Sequence, residues 1–315
     1  MAKITRRIEA AKSTLRSSGR SAHIYAVSFW VASVVLFWGA FSELVNLSFH
    51  DQRSSHILLI PFIGSILICL GRNRIFRALR YCPSIGLPIL LVAALLWYAL
   101  RAPLFQLNET DRLSGIAAVI FLVWIGGFIL FYGIGAAKAA AFPLFFLLLM
   151  IPIPVGLAET MVSFLQRGSA ETCHALFVLV GVPVVRHGFQ FSLPGVDIEV
   201  AEQCSGIHSA LALFIAGLLM QHFLVQGIWK KIVFILCILP IAIFKNAVRI
   251  VTIAWLGIHV NPNFFHGQLH RQGGLFFAVL AAAMLGALVW LLGSRVLTPS
   301  RSKDASSGYL SSGVA

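Results

Sequence analysis

The sequence has few charged residues and no closely spaced pair of cysteines. Only 11% of its 315 residues are charged, whereas soluble globular proteins have about 25%. None of its five cysteines forms a C-x-x-C pair, which argues against zinc ribbons and thioredoxin-type redox motifs. With 59% apolar residues, the composition excludes a soluble enzyme, a disulfide-stapled secreted domain and a disordered chain.

The charge that is present is strongly basic, with a formal net value of +13. Nucleic-acid binding would require these cations to form one patch, but they are spread between long apolar runs. Apolar bulk with excess cation is typical of a multi-pass membrane protein whose basic loops face the cytoplasm. The sequence therefore predicts membrane lipids as partners and no nucleic-acid partner.

Apolar runs predict an all-α, polytopic membrane bundle, since a spanning helix needs roughly 20 apolar residues. Eight runs qualify: Ala26–Ser42, Ser54–Gly71, Tyr81–Leu100, Leu113–Ala137, Ala139–Ala158, Ser205–Trp229, Ile232–Val248 and Gln272–Ser294. Two shorter stretches, Thr172–Val185 and Ile250–Phe265, are predicted to be interfacial or re-entrant.

Eight crossings place both termini on one side of the membrane, and the charges favour the cytoplasm. The terminal side has 16 cations and two acids, and the opposite side has the remaining 8 cations and 9 acids. We expect a basic cytoplasmic segment at 1–23, a transmembrane domain at 24–296 and a flexible cytoplasmic tail at 297–315.

The longest loop, roughly Glu159–Gln203, is predicted to be external. Within it, Phe189–Val200 alternates turn and apolar residues, which predicts a small extracytoplasmic hairpin around Pro194 and Gly195. The loop leads directly into Cys204 and the sixth span.

Cys204 is the first candidate for chemistry. It lies at the outer end of the sixth span, where a helix N-terminus supplies partial positive charge and unpaired N–H groups. That setting favours the nucleophilic thiolate, and Gly206 beside it leaves room for a substrate backbone. The alternatives are a packing cysteine or a disulfide to Cys173, the other cysteine on the outer side.

Arg249 follows the seventh span, close to the predicted outer edge of the hydrocarbon. A charge at that depth is costly and usually has a partner or a function. Asn246 lies three positions earlier on the same helical face, where it could hold the guanidinium by a hydrogen bond. The alternative is that Arg249 and Lys245 extend to the headgroups.

His266 and His270 open the eighth span, again at the outer face. They are four residues apart, but no Asp or Glu lies nearby and H-E-x-x-H is absent, so no metal is predicted. A neutral imidazole is a natural general base for a thiol, and the alternative is a polar interface histidine. We predict no cofactor.

Cys204, Arg249 and His270 thus fall at the outer ends of three successive predicted spans. Helices joined by short connections tend to be neighbours, so we expect the three side chains to meet. A thiol nucleophile, a base and a fixed cation are the groups that acyl transfer requires.

These motifs resemble those of the exosortase/archaeosortase family. The resemblance rests on E-x-C-S-G at Glu202–Gly206, N-x-x-R at Asn246–Arg249 and H-x-x-x-G at His270–Gly274, in that order. His56 before an apolar span and the segment Met150–Pro154 are also similar to the family.

The resemblance implies a cysteine protease or transpeptidase of the bacterial inner membrane, with its active site on the outer face. Its partners would be secreted proteins ending in a sorting signal of the PEP-CTERM kind: a short motif, a hydrophobic span and a basic end. Cys204 would form a thioester, Arg249 would stabilise the oxyanion or donate a proton, and His270 would activate the thiol. Four residues are supporting candidates: Glu202, Gly206, Asn246 and His266.

Two other functions remain open at this point. A transporter or flippase would use Arg249 and the outer histidines to bind an anion, with Cys204 as a bystander. A structural subunit of an envelope polysaccharide export system would do no chemistry. Transporters often have internal inverted repeats and broken helices at the midplane, whereas this sequence shows no repeat and its ionisable cluster is predicted at the outer edge. It does not indicate an oligomeric state.

Overall fold

The structure is a computed structural model that describes residues 21–77, 79–102, 106–200, 206–261 and 274–292. The described chain is largely α-helical and divides into two compact units. Unit 1 contains Met1–Gly168 and Glu199–Leu211, and unit 2 contains Ser169–Ile198 and Ala212–Ala315. The prediction of an all-α membrane protein is confirmed in this general form.

In the part of the first half that the structure describes, the chain forms seven helices and two short 3-10 turns. The helices are α1 (Ser21–Leu36), α2 (Trp38–His50), α3 (Leu59–Leu70), α4 (Arg72–Ile75), α5 (Pro83–Arg101), α6 (Glu109–Ala139) and α7 (Ala141–Phe146). The 3-10 turns are Gln52–Ser54 and Leu147–Met150.

The described residues of the second half form four helices and a three-stranded sheet. The helices are α8 (Val155–Val180), α9 (Ile207–Leu224), α10 (Ile228–His259) and α11 (Gly274–Leu292). The strands are β1 (Val185–His187), β2 (Gln190–Leu193) and β3 (Val196–Glu199), in the order β1-β2-β3. Strands β1 and β2 are antiparallel, with Arg186 opposite Phe191.

Four described helices are long and apolar enough to cross a membrane, namely α5, α6, α9 and α10. The number rises to six if two bent pairs each form one span. One pair, α1 with α2, is bent by 72°, and the other, residues 141–150 with α8, by 94°. The first and fifth predicted crossings are therefore not straight helices, and a total of eight crossings remains a prediction.

Helix α6 is the most enclosed of the long apolar helices, and it is kinked at Gly133. Gly133 has φ 83° and ψ 169°, which few residues other than glycine adopt. A Cβ there would also collide with the backbone carbonyl of Arg80. The kink leaves backbone carbonyls that accept hydrogen bonds from the segment before α5, Tyr132 from Arg80 and Leu130 from Cys82.

The start of α6 fixes the start of α8. Asn108 caps α6, since its Oδ1 accepts a hydrogen bond from the backbone N–H of Asp111. One carboxylate oxygen of Asp111 then accepts the backbone N–H of Val155 at 2.8 Å. This bond satisfies an orphan donor at the first residue of α8 and connects residues 44 apart in sequence.

The predicted external loop Glu159–Gln203 is wrong over its first half, because α8 continues to Val180. The stretch Thr172–Val185 is likewise not a separate interfacial piece. The predicted hairpin is confirmed: β2 and β3 flank Pro194 and Gly195. Strand β1 extends it to a three-stranded sheet.

The seventh predicted span is longer than expected. Helix α10 runs without a break from Ile228 to His259, so a re-entrant piece beginning at Ile250 is wrong up to that point. Its apolar residues simply continue past Arg249 with helical hydrogen bonding. Residues 262–265 at the end of that stretch lie outside the described residues.

Candidate functional site

Four of the predicted site residues lie outside the part of the chain that the structure describes. These are Glu202, Cys204, His266 and His270. Gly206, Asn246 and Arg249 are described, the first in unit 1 and the other two in unit 2. The site is therefore built from the elements that flank the motifs.

The E-x-C-S-G motif is followed directly by the first turn of α9. Gly206 has φ 74°, a left-handed conformation that favours glycine. Its carbonyl accepts hydrogen bonds from the backbone N–H of Ala210 at 2.8 Å and the hydroxyl of Ser209 at 2.9 Å. Gly206 is thus required by the backbone geometry of the turn, a reason additional to the space it leaves for a substrate.

The residue before the motif is fixed as well. Val200 is fully buried, and its carbonyl accepts a hydrogen bond from Nε2 of Gln166 at 2.6 Å. Gln166 is itself buried in α8. The two described residues that flank 201–205 are therefore both held, Val200 by Gln166 and Gly206 by the first turn of α9.

A polar cavity of about 170 Å³ lies at the start of α9. Its lining includes Ile207, His56, Asp51 and Glu159, all in unit 1. The carboxylate of Asp51 organises its rim: one oxygen accepts the backbone N–H of Arg53 at 2.9 Å, and the other accepts the hydroxyl of Ser54 at 3.1 Å. The cavity is large enough for a small polar side chain or a few waters.

The imidazole of His56 is partly buried in this cavity wall. Burial lowers its pKa below the ordinary value of 6.5, and the nearby His208 acts in the same direction. Hydrogen bonds to the backbone of Leu149 and Arg53 oppose the shift. His56 is therefore neutral at pH 7, in a position to accept or donate one proton.

Asn246 is held in the interior of unit 2. It is 2% exposed, and its Nδ2 donates a hydrogen bond to Oγ of Ser169 in α8 at 3.0 Å. Four residues along α8, the thiol of Cys173 contacts the carbonyl of Ala247 at 3.8 Å. These two contacts fix the rotation of α10 relative to the Ser169–Val180 part of α8.

Arg249 lies one helical turn beyond Asn246 on α10 and is half-buried. Ten residues of helix follow it, so it is in the body of α10 and not at its end. Lys245 is only 5% exposed, which contradicts the alternative that it extends to the headgroups. A cation on a fixed, continuous helix can present its charge with little reorganisation.

Cys173 is a free thiol with no exposed surface. This contradicts the alternative disulfide between Cys173 and Cys204. Cys69, Cys82 and Cys237 are also free thiols.

Sequence reasoning missed two features of these surroundings. It did not identify Ser169 as the partner of Asn246, because nothing in a helical apolar run marks which serine faces a distant amide. It noted His56 only through the family resemblance and did not place it beside the start of α9. The spacing of Asp51 and His56 around a short turn was the available signal for the cavity.

The comparisons give one match. A family model described as a transmembrane exosortase matches residues 46–287, which is more than half of the chain and includes all three motifs. No curated protein and no solved structure matches the chain.

Proposed function

Because the chain belongs to the transmembrane exosortase family, we propose that it cleaves C-terminal sorting signals of secreted proteins through a thioester on Cys204. The family consists of membrane enzymes of the cysteine transpeptidase or protease type that process sorting signals. The proposed substrate has a PEP-CTERM-like motif, a hydrophobic span and a basic end. The supporting observation is that the family match encloses Cys204, Arg249 and His270 in the order of the motifs.

In the proposed reaction, His270 takes the proton of the Cys204 thiol and the sulfur attacks the scissile carbonyl. The C–S bond forms and the C–N bond breaks, so the hydrophobic tail leaves as an amine that receives the proton. Arg249 stabilises the oxyanion of the tetrahedral intermediate or donates a proton. Water or an amine then attacks the thioester and regenerates the thiol.

The start of α9 supports the role of Cys204. The helix begins at Ile207, three residues after the cysteine, and the first N–H groups of a helix carry partial positive charge. Such a field favours a thiolate over a thiol. The positive φ of Gly206 sets the direction in which the chain enters this helix.

The packing of α10 supports the roles of Arg249 and His270. Helix α11 packs against α10 within unit 2, and it begins at Gly274, four residues after His270. The guanidinium is therefore carried by a helix that packs against the helix following His270 in the sequence. His266 is the alternative base, and the H-x-x-x-G spacing favours His270.

We further propose a bacterial inner-membrane location, with both termini in the cytoplasm and the reaction at the outer face. The charge asymmetry of the predicted loops supports this orientation. Family membership does not favour the transporter, flippase or structural-subunit alternatives.

The test uses a reporter protein that carries a motif, a span and a basic end, expressed with the full chain. We expect processing with the wild-type chain, and none with Cys204→Ala, whose reporter stays full-length and membrane-anchored. Cys69→Ala is the matched control, because it removes another free thiol, an exposed one on α3, from the same molecule and should leave processing unchanged.

The intermediate can be tested separately by adding hydroxylamine, which cleaves thioesters. The released reporter should then carry a C-terminal hydroxamate, detectable by mass spectrometry. Normal processing by Cys204→Ala would overturn the proposal. Processing without a hydroxamate product would instead exclude the thioester.

A further inference from the structure

Unit 1 contains an apolar groove of about 460 Å³ that the proposed chemistry does not use. One wall is the face of α1 that carries Trp30 and Val34, and the other is the face of α3 that carries Gly64 and Ile68. Phe128 of α6 lies at its base. Its volume is within the range of about 300–1,000 Å³ that is typical of ligand pockets.

The groove is partly open, and several of its apolar lining residues are exposed. Val31, Val35 and Trp38 line it and are each more than half exposed. The indole N–H of Trp124, another lining residue, already donates a hydrogen bond to the hydroxyl of Ser33 at 3.0 Å and is not available to a molecule in the groove. The lining is therefore suited to a hydrocarbon chain that enters from the bilayer.

The helix that forms the α3 wall of the groove is followed by an arginine-rich turn. On α3 the lining positions Pro61, Gly64 and Ile68 follow one helical face, and Arg72 comes four residues after Ile68. Ile68 also packs with Ile75 of α4 against a core that includes Phe128, which joins the groove to the arginine-bearing turn. The turn and its continuation carry four exposed arginines: Arg72, Arg74, Arg77 and Arg80.

This basic turn has no acidic residue near it in sequence. Between Asp51 and Glu109 the chain contains no Asp or Glu. Within the described ranges, ion pairs join Arg112 to Glu43 and Arg186 to Glu171. Neither pair includes one of these four arginines. Four exposed arginines that form no ion pair among the described residues, on the turn that follows the α3 wall of the groove, match a phosphate headgroup above an acyl chain.

From this arrangement we propose that the groove is a binding site for an anionic phospholipid. An acyl chain occupies the space between α1 and α3, and the arginines of the α4 turn bind the phosphate. A substrate span is the other apolar occupant to consider. The sorting signal proposed above ends in basic residues, which the same arginines would repel.

The experiment uses the purified full-length chain in phosphatidylcholine nanodiscs. The probe is phosphatidylglycerol brominated on its acyl chains, which quenches tryptophan fluorescence on contact, and brominated phosphatidylcholine is the matched probe. Three of the seven tryptophans, Trp30, Trp38 and Trp124, line the groove. We expect the anionic probe to quench at a much lower mole fraction than the neutral probe.

Two pairs of variants separate the headgroup from the chain. Arg72→Gln with Arg74→Gln should raise the half-quenching mole fraction about tenfold, since each cation near a lipid surface contributes to anionic binding. Lys230→Gln with Lys231→Gln, at the start of α10, should not. Ser65→Phe fills the groove and should lower the quenching by both probes, whereas Ile66→Phe on the neighbouring, non-lining position should not.

Equal quenching by the two brominated lipids, or equal effects of the arginine and lysine pairs, would overturn the proposal. Displacement of the anionic probe by a synthetic peptide with a hydrophobic span and a basic end would assign the groove to substrate instead. Cys204→Ala should bind the lipid like wild type, so a failure of the lipid site is distinguishable from a failure of the proposed reaction.

Discussion

The amide of Asn246 donates a hydrogen bond to the hydroxyl of Ser169 across the interior of unit 2, with 3.0 Å between Nδ2 and Oγ. Both side chains are buried, and the contact joins α10 to α8. Since Arg249 is three residues further along α10, the bond fixes the helix that carries the proposed oxyanion-stabilising cation.

Removing the hydroxyl with Ser169→Ala should lower both stability and processing. A buried amide donor that loses its partner costs about 1–3 kcal/mol. We expect a lower melting temperature in detergent and a slower release of the reporter. Ser42→Ala is the control, because the hydroxyl of Ser42 is on an exposed helix turn and donates only to the carbonyl of Gly39. A Ser169→Ala chain that melts and processes like Ser42→Ala would show that the bond has no such role.

Gly206→Ala should reduce activity through backbone strain. The left-handed conformation at φ 74° costs a residue with a Cβ roughly 1–2 kcal/mol. Gly156→Ala, near the start of α8, is the matched control, since an added Cβ meets nothing within 4 Å there. Initial rates of reporter processing and melting curves of the two variants provide the comparison. If both variants retain full activity, the turn tolerates a side chain and its geometry is not critical.

Acidification should destabilise the chain through His56. Its pKa is lowered in the folded state, mainly by burial, so the folded protein binds fewer protons than the unfolded chain below pH 6.5. The corresponding stability is fully present above pH 6.5 and is lost as the pH falls through 6.5 towards the lower folded pKa. We expect the drop in melting temperature between pH 7.5 and pH 5.5 to be smaller in His56→Gln than in wild type.

His259→Gln is the control for that titration, because His259 is exposed and its ring contacts the carbonyl of Trp255 in its own helix. It should retain the wild-type pH dependence. If the pH profile of His56→Gln overlays that of wild type, burial of His56 does not contribute to the acid sensitivity.

A membrane-impermeant maleimide applied from outside should label Cys204 and spare Cys173. Cys173 has no exposed surface, whereas a nucleophile must be reachable by substrate. We expect labelling of intact cells to be abolished by Cys204→Ala and unchanged by Cys173→Ala, measured by mass spectrometry of the labelled peptide. Labelling that persists in Cys204→Ala would place the reactive outer thiol elsewhere.

Asp111→Ala should destabilise the start of α8. Its carboxylate accepts the backbone N–H of Val155 at 2.8 Å, and a charged hydrogen bond of this type contributes about 1.5–3 kcal/mol. Glu109→Ala in the same helical turn is the matched control, because Glu109 makes no such contact with Val155. We expect a lower melting temperature for Asp111→Ala alone. Equal melting temperatures of the two variants would show that the bond from Val155 to Asp111 does not stabilise the start of α8.

The long apolar helices could be predicted from the sequence because burial in lipid demands continuous apolar runs. Helices α5, α6 and α9 correspond closely to predicted runs. The hairpin at Pro194 and Gly195 could be predicted too, since alternation and turn residues are local signals.

The bends could not be predicted in this way. Hydropathy does not depend on the direction of the chain, so an apolar run does not show the 94° bend before α8 or the kink at Gly133. The part of α8 after Ala158 does not form one apolar run, because Gln166, Arg167 and Glu171 interrupt it, so hydropathy alone does not predict a continuous helix there. A long helix can nevertheless contain polar residues when their side chains form hydrogen bonds, as that of Gln166 does with the carbonyl of Val200.

For the candidate site, the sequence identified the residues but not the side chains that hold them in position. Asn246 and Arg249 were singled out because polar groups in an apolar helix are costly. The contact of Asn246 with Ser169 depends on which faces of two distant helices meet, and one sequence does not encode that in any local pattern.

The bond from Asp111 to Val155 has a consequence for building hybrids with other exosortases. A donor segment that brings its own version of residues 151–155, but not the matching start of α6, would separate a carboxylate from the amide it caps. Exchanges that move both pieces together should yield functional chimaeras more often than exchanges with a crossover between them. Crossover points in a recombination library are therefore best placed outside the interval 108–155.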